Sequence, residues 1–234
     1  KMDMSKLKIK TMLKKIILIC FLSFTFIEGQ AQDSPQLSSI FIDDKDGQEY
    51  KTVVIGKYVI LAENYNYEFE DNVSSFQCDN LNSNEDRKQF GRYYTHQAAK
   101  RLAPKGWRLP TLDDWDEINK FIKLKNGINH PKADVSKLLN KGSTGINLKM
   151  MGSHPIKTTD GIPNKSKPIC GKQITAHYWL DGTGEGTTHS PEGTYNYLLL
   201  WEGYEGRKDS TLYNYGNGAP FDRWAFPVRY IKDL

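Results

Sequence analysis

The sequence predicts an α+β domain with short antiparallel strands, two main helices and long loops. Three observations carry that prediction. Residues 40–70 alternate apolar and polar side chains around Gly-containing turns, the period of a half-buried strand. Residues 95–124 place apolar side chains three and four apart behind capping residues, the period of a helix. Residues 176–231 then hold three aromatic-rich runs of strand length.

At the N-terminus, Lys6, Lys8, Lys10, Lys14 and Lys15 precede an apolar run over residues 16–27. A bilayer span needs about 20 apolar residues, more than this run supplies. Gly29-Gln30-Ala31 offers small residues where a signal peptidase reads, so residues 1–31 are expected to be a secretory signal cleaved after Ala31. Ile19 stands before Cys20 where lipidation wants a small residue, so no lipid is expected there. Residues 1–31 hold six lysines and two acids, a net +4 that equals the net +4 of the whole chain. The remainder is near neutral, which removes the electrostatic case for a nucleic-acid partner. No membrane span is expected once the signal is removed.

Residues 32–39 read as a short polar tether, because Leu37 alone is too little to cover a first strand. Residues 40–234 are of single-domain size, large enough for a real core. Asp43-Asp44-Lys45-Asp46-Gly47 is hairpin-turn chemistry. Its Asp spacing resembles a calcium loop, but the Glu required at loop position 12 is missing, so no metal is expected. Residues 50–60 alternate and turn at Gly56-Lys57. Residues 71–89 read as a polar loop that carries Cys78, and residues 95–102 as a short helix with Ala98, Ala99 and Leu102 on one face.

Residues 103–124 are the organising stretch. Pro104-Lys105-Gly106 makes a turn, and Pro110 biases Leu109 away from helix. Thr111 is placed to N-cap a helix whose first turn carries Asp113 and Asp114. Leu112, Trp115, Ile118, Phe121 and Ile122 form its apolar face. Residues 125–143 look like a surface insertion with a weak helix over 133–140. Strands are expected at 176–180, 195–201 and 223–231, joined by long polar loops over 181–193 and 202–220. The expected core includes Trp107, Trp115, Ile118, Trp179 and Trp224.

GWRLPTLDDWDEI at residues 106–118, the upstream segment DKDGQEYKTVVIGKYVILAENYNYE and the C-terminal FPVRYIKDL together resemble the Fibrobacter succinogenes major paralogous domain. The resemblance runs from about Phe41 to Leu234. It implies secretion and a fold related to the C-type-lectin-like and formylglycine-generating-enzyme superfamily, but no assigned activity. Relatives commonly carry cysteines where this chain has Ala103 and Tyr230, so that disulfide is absent here. The cysteines left after signal removal are Cys78 and Cys170, and in an exported protein such an even pair favours a disulfide.

Enzyme signatures are missing. The five histidines are scattered without a zinc-type pair, there is no Gly-x-Ser-x-Gly elbow, and the Gly-rich run at 182–186 lacks the Gly-Lys-Ser/Thr ending of a phosphate loop. Formylglycine-generating enzymes need reactive cysteines near the chain end, and Cys170 lies before the final strands. Ile162-Pro163-Asn164 and Trp179-Leu180-Asp181 also fall short of the calcium-lectin motifs. The expectation is therefore a non-catalytic exported module without cofactor, binding a glycan or a surface protein. An assembly subunit of a surface appendage or envelope complex is the alternative. Tyr204, Tyr213 and Tyr215 are the expected stacking faces, and Asp181, Glu185, Arg207 and Asp209 the polar contacts, brought together by the two long loops.

Overall fold

A computed structural model describes residues 36–71, 74–81, 83–124, 135–139, 142–157, 164, 168, 175–184, 194–202, 211–220 and 223–234. These residues belong to one compact unit that starts at Ser34. The unit contains three small antiparallel sheets and three short α-helices among the described residues, a mixed α/β architecture compatible with α+β.

The first sheet has the order β1-β2-β3-β11, built from β1 (Gln36–Ile42), β2 (Glu49–Ile55), β3 (Tyr58–Leu61) and β11 (Ile231–Asp233). The predicted hairpin joins β1 to β2. Gly47 takes a φ of 73° and its N–H donates to the Asp43 carbonyl at 2.8 Å, which is the left-handed geometry that favours glycine. β1 corrects the tether reading, since it starts at Gln36 and pairs with β2 through Gln36↔Val54 and Leu37↔Val53. Backbone ladder bonds hold this edge, and they need no run of apolar side chains.

The second sheet has the order β4-β5-β10-β6: β4 (Ser75–Phe76), β5 (Tyr93–Thr95), β10 (Trp224–Phe226) and β6 (His154–Pro155). The third is a meander, β7 (Thr175–Gly184), β8 (Thr194–Glu202) and β9 (Thr211–Pro220). The expected single strand at 223–231 is instead two strands in two sheets. Pro227 has no N–H to continue a ladder. The chain crosses there to the first sheet, where Val228 and Tyr230 carbonyls accept from Tyr65 at 3.1 Å and Leu61 at 3.0 Å.

Helix α1 (Asn84–Phe90) lies in the stretch expected to be loop. Ser83 caps it, accepting from the Asp86 N–H, and it buries no residue, so hydrophobic periodicity had nothing to reveal. Helix α2 (His96–Leu102) buries Ala98, Ala99 and Leu102 as expected and is capped by Thr95. Helix α3 (Leu112–Phe121) starts at a full capping box, in which Thr111 Oγ1 accepts from the Asp114 N–H and the Asp114 carboxylate accepts from the Thr111 N–H. Arg108 makes a two-pronged contact with the same carboxylate. Of the weak helix expected over 133–140, the described residues form a 3-10 turn at Val135–Lys137.

Trp115, at 0 % exposure, and Ile118 fill the core between α3, the first sheet and the inner face of β7 and β8. A second core gathers Tyr50, Tyr65, Tyr94, Trp107, Trp179 and Tyr230. Tyr230 donates to the Ala99 carbonyl of α2 at 2.6 Å, tying the C-terminal segment to this helix without a disulfide. Trp224 is half-buried at the margin of this second core, not inside it.

Between the sheets lies a buried polar knot. Arg229, 1 % exposed, donates to Asn64 Oδ1 at 2.7 Å, to the Leu61 carbonyl at 3.0 Å and to the Asn147 carbonyl at 2.7 Å. Its guanidinium also lies 5.9 Å from the Tyr178 ring centroid. Gly91 packs against this knot so tightly that a Cβ there would lie 2.6 Å from Asn64 Cβ.

Candidate functional site: the aromatic face of the third sheet

β8 alternates strictly. Thr194, Asn196, Leu198 and Leu200 are buried, and Tyr195, Tyr197, Leu199 and Trp201 are half-buried. Because strand side chains alternate faces, one face of β8 enters the first core and the other presents a row of three aromatic rings and a leucine. Neighbours in that row are about 6.6 Å apart along the strand, so it extends for about 20 Å.

The row is held from behind by stacked rings. Tyr195 lies on the His96 imidazole of α2, with centroids 3.6 Å apart and planes 14° apart, and meets Trp179 edge-on at 5.9 Å. Tyr197 sits opposite Trp179 in the β7–β8 register and contacts Phe226 at 5.4 Å. Trp179 is anchored by its indole N–H, which donates to the Tyr94 carbonyl at 2.6 Å, and its ring lies 4.1 Å from Phe226. This backing restricts the rotamers of Tyr195 and Tyr197, so a ligand meeting them costs little side-chain entropy.

One end of the row carries a charged rim. Lys100, one turn after His96 on α2, pairs with Asp181 Oδ1 at 2.8 Å, and both side chains remain accessible at 54 % and 36 % exposure. The Gly182 N–H donates to the same oxygen at 2.9 Å. Burial pushes the Asp181 carboxyl up, but the Lys100 and Gly182 hydrogen bonds outweigh it and leave the carboxyl below its ordinary range. His96 Nε2 lies 2.9 Å from the Leu180 carbonyl, which can only accept, so Nε2 carries the proton. Burial lowers the pKa of this imidazole to about 4 despite the Leu180 contact. Tyr195 therefore stacks on a neutral ring.

Of the residues of the expected two-loop site, three lie on strands. Asp181 lies within β7, not in a loop. Tyr213 and Tyr215 lie on β9, as register partners of Leu200 and Leu198. Residues 185–193 and 203–210 join β8 at its opposite ends, Thr194 and Glu202. Tyr204, Glu185, Arg207 and Asp209 lie outside the described residues. The Gly-rich, polar composition of 202–220 resembles a loop, but ladder bonds to β8 make its second half a strand. Tyr195 and Tyr197 are partly buried against the second core, and Trp201 is half-buried. The signal that could have found them is their alternation with Leu198 and Leu200.

Cys78 is disulfide-bonded. Asp79 donates to the Pro168 carbonyl at 2.9 Å, which brings position 168 alongside. Cys170 lies outside the described residues. Among the described residues, no group of three or more His, Cys, Asp or Glu side chains is placed to hold a metal ion, and no helix is long and apolar enough to cross a membrane.

No curated protein and no solved structure matches the chain. A family model does match, across residues 53–232, a span that runs from β2 through the capped corner and the aromatic sheet to β11. The chain belongs to the Fibrobacter succinogenes major domain family.

Proposed function

We propose that the chain is an exported, non-catalytic binding or adhesion module with a C-type-lectin-like fold, and that its ligand is a glycan. The observation that carries this reading is the half-buried row Tyr195, Tyr197, Leu199 and Trp201, its first two rings backed by His96 and Phe226 and its end rimmed by Lys100 and Asp181. Flat aromatic faces accept the apolar faces of sugar rings, while the charged rim supplies hydrogen bonds. The apolar run and small residues before position 32 support export.

A glycan array probed with the purified protein tests the reading. Tyr197→Ala/Trp201→Ala should weaken binding of the sugars retained by at least about tenfold, equivalent to roughly 1.4 kcal/mol, while keeping the native circular dichroism spectrum. A folded double variant with undiminished affinity would refute the assignment.

The assembly-subunit reading has its own observation. Edge strand β1 exposes Ile40 and Ile42, each at 59 %, and exposed apolar edge strands invite strand pairing with another chain. A blank array, together with loss of cell-surface retention in Ile40→Lys/Ile42→Lys, would favour that reading.

A further inference from the structure

Three buried imidazoles, one from each of three surrounding elements, converge on the short strand β10. His154 of β6 is next to it in the sheet, in register with Ala225. His177 of β7 stacks on Phe226 with centroids 5.0 Å apart. His96 of α2 meets Trp179 edge-on at 5.1 Å, and Trp179 lies against Phe226. His96 and His154 are 1 % and 2 % exposed. His177 is half-buried as a residue, yet its Nδ1 is sealed from solvent.

Each ring has one sealed nitrogen without a hydrogen-bond partner: His96 Nδ1, His154 Nε2 and His177 Nδ1. An imidazolium donates from both nitrogens, so protonation in place would bury a charge and leave a donor unmet. The surroundings offer little compensation. His154 faces the Phe76 and Tyr93 rings. His177 faces Tyr197, Phe226 and the Gly152 carbonyl. Tyr93 and Tyr197 both have phenol pKa values raised by burial, so they stay neutral. Lys100 and Asp181 are the charges that face His96, and they are paired with each other.

We infer that the packing of β10 against α2, β6 and β7 is an acid-operated seam: the three histidines fold neutral, and acidification opens the seam by making them take up protons. Burial holds each ring at about 4, below the ordinary 6.5. The unfolded or opened chain therefore binds more protons than the closed one. The stabilisation is complete above 6.5 and is lost as the pH falls towards 4. With three rings titrating together, the opening equilibrium rises by up to ~1,000-fold per pH unit in that window. Since His96 and His177 back Tyr195 and Tyr197, the aromatic row would loosen as well. That consequence rests on the binding reading; the seam itself does not.

Amide hydrogen exchange on the full chain, corrected for intrinsic rates, tests the seam without any ligand. Protection at Ala225 and Phe226 should fall at least about tenfold between about pH 7 and pH 5. His96→Gln, His154→Phe and His177→Phe, made singly, should each flatten that dependence by up to about tenfold per pH unit. Should a variant fail to fold, NMR titration of the carbon-bound imidazole protons decides it in the unaltered protein. Three rings still neutral at about pH 5.5 in the folded spectrum support the seam. Rings that titrate near their ordinary value while the protein stays folded, or protection unchanged across this range, overturn it.

Discussion

Replacing Asn64 with alanine should destabilise the domain by about 3 kcal/mol, more than the size of the deleted group suggests. Asn64 is fully buried and holds four partners at once. Its Nδ2 donates to the Phe90 carbonyl at 2.7 Å and approaches Met151 Sδ at 2.8 Å. Its Oδ1 accepts from Arg229 Nε at 2.7 Å and from the Tyr178 hydroxyl at 3.1 Å. The partners lose unequally. The Tyr178 hydroxyl can turn to the Lys149 carbonyl at 3.2 Å, and a thioether is a weak acceptor, so those two contribute little. A hydrogen bond to a charged group is worth about 1.5–3 kcal/mol, and an orphaned buried carbonyl costs about 1–3 kcal/mol. A water admitted to the polar space left behind returns part of that, which brings the net to about 3 kcal/mol. Urea unfolding with an unchanged m-value measures it. Asn64→Asp keeps the acceptor and gives Arg229 a counter-charge, so it should recover part of the loss even though the Phe90 carbonyl loses its donor. An alanine cost below about 1 kcal/mol, or an aspartate no better than alanine, would refute the claim that Arg229 is what Asn64 satisfies.

Trp115→Ala removes the largest fully buried side chain of α3 and should cost about 3–5 kcal/mol in the same melts; a loss under about 1 kcal/mol would mean the capped corner does not organise the core. Burial pushes the Asp114 carboxyl up, but Arg108, the Thr111 N–H and Tyr58 outweigh it and hold its pKa at about 2, below the ordinary 3.8. Its folded value being the lower one, the stabilisation is present above 3.8 and lost as the pH falls towards 2. Acid titration of Asp114→Asn should therefore lack about 2 kcal/mol of the pH-dependent loss that the unaltered protein shows in that window.

Local features follow from neighbouring residues alone. Pro104-Lys105-Gly106, Thr111 and Asp114 specify the turn and the capping box, because the groups that bond are within three residues of each other. Asp46-Gly47 specifies the first hairpin for the same reason, and the alternation of β2 and the three-four spacing of α3 mark which faces are buried. The ordered motifs within residues 53–232 are also enough to place the chain in its family. Tertiary structure decided everything that depends on a distant partner. β1 and β9 exist as strands because their backbones pair with β2 and β8, and such pairing leaves no obligatory apolar pattern in the sequence. Likewise, α1 buries nothing, so only its cap marked it. Tyr195, Tyr197 and Trp201 are half-buried, and His96 of α2 and Phe226 of β10 pack against the first two. No local pattern tells such a strand from one covered on both sides. Asn64, Arg229 and the three histidines acquire their roles the same way, since burial is set by non-local packing and it is burial that makes an amide, a guanidinium or an imidazole costly to leave unmatched.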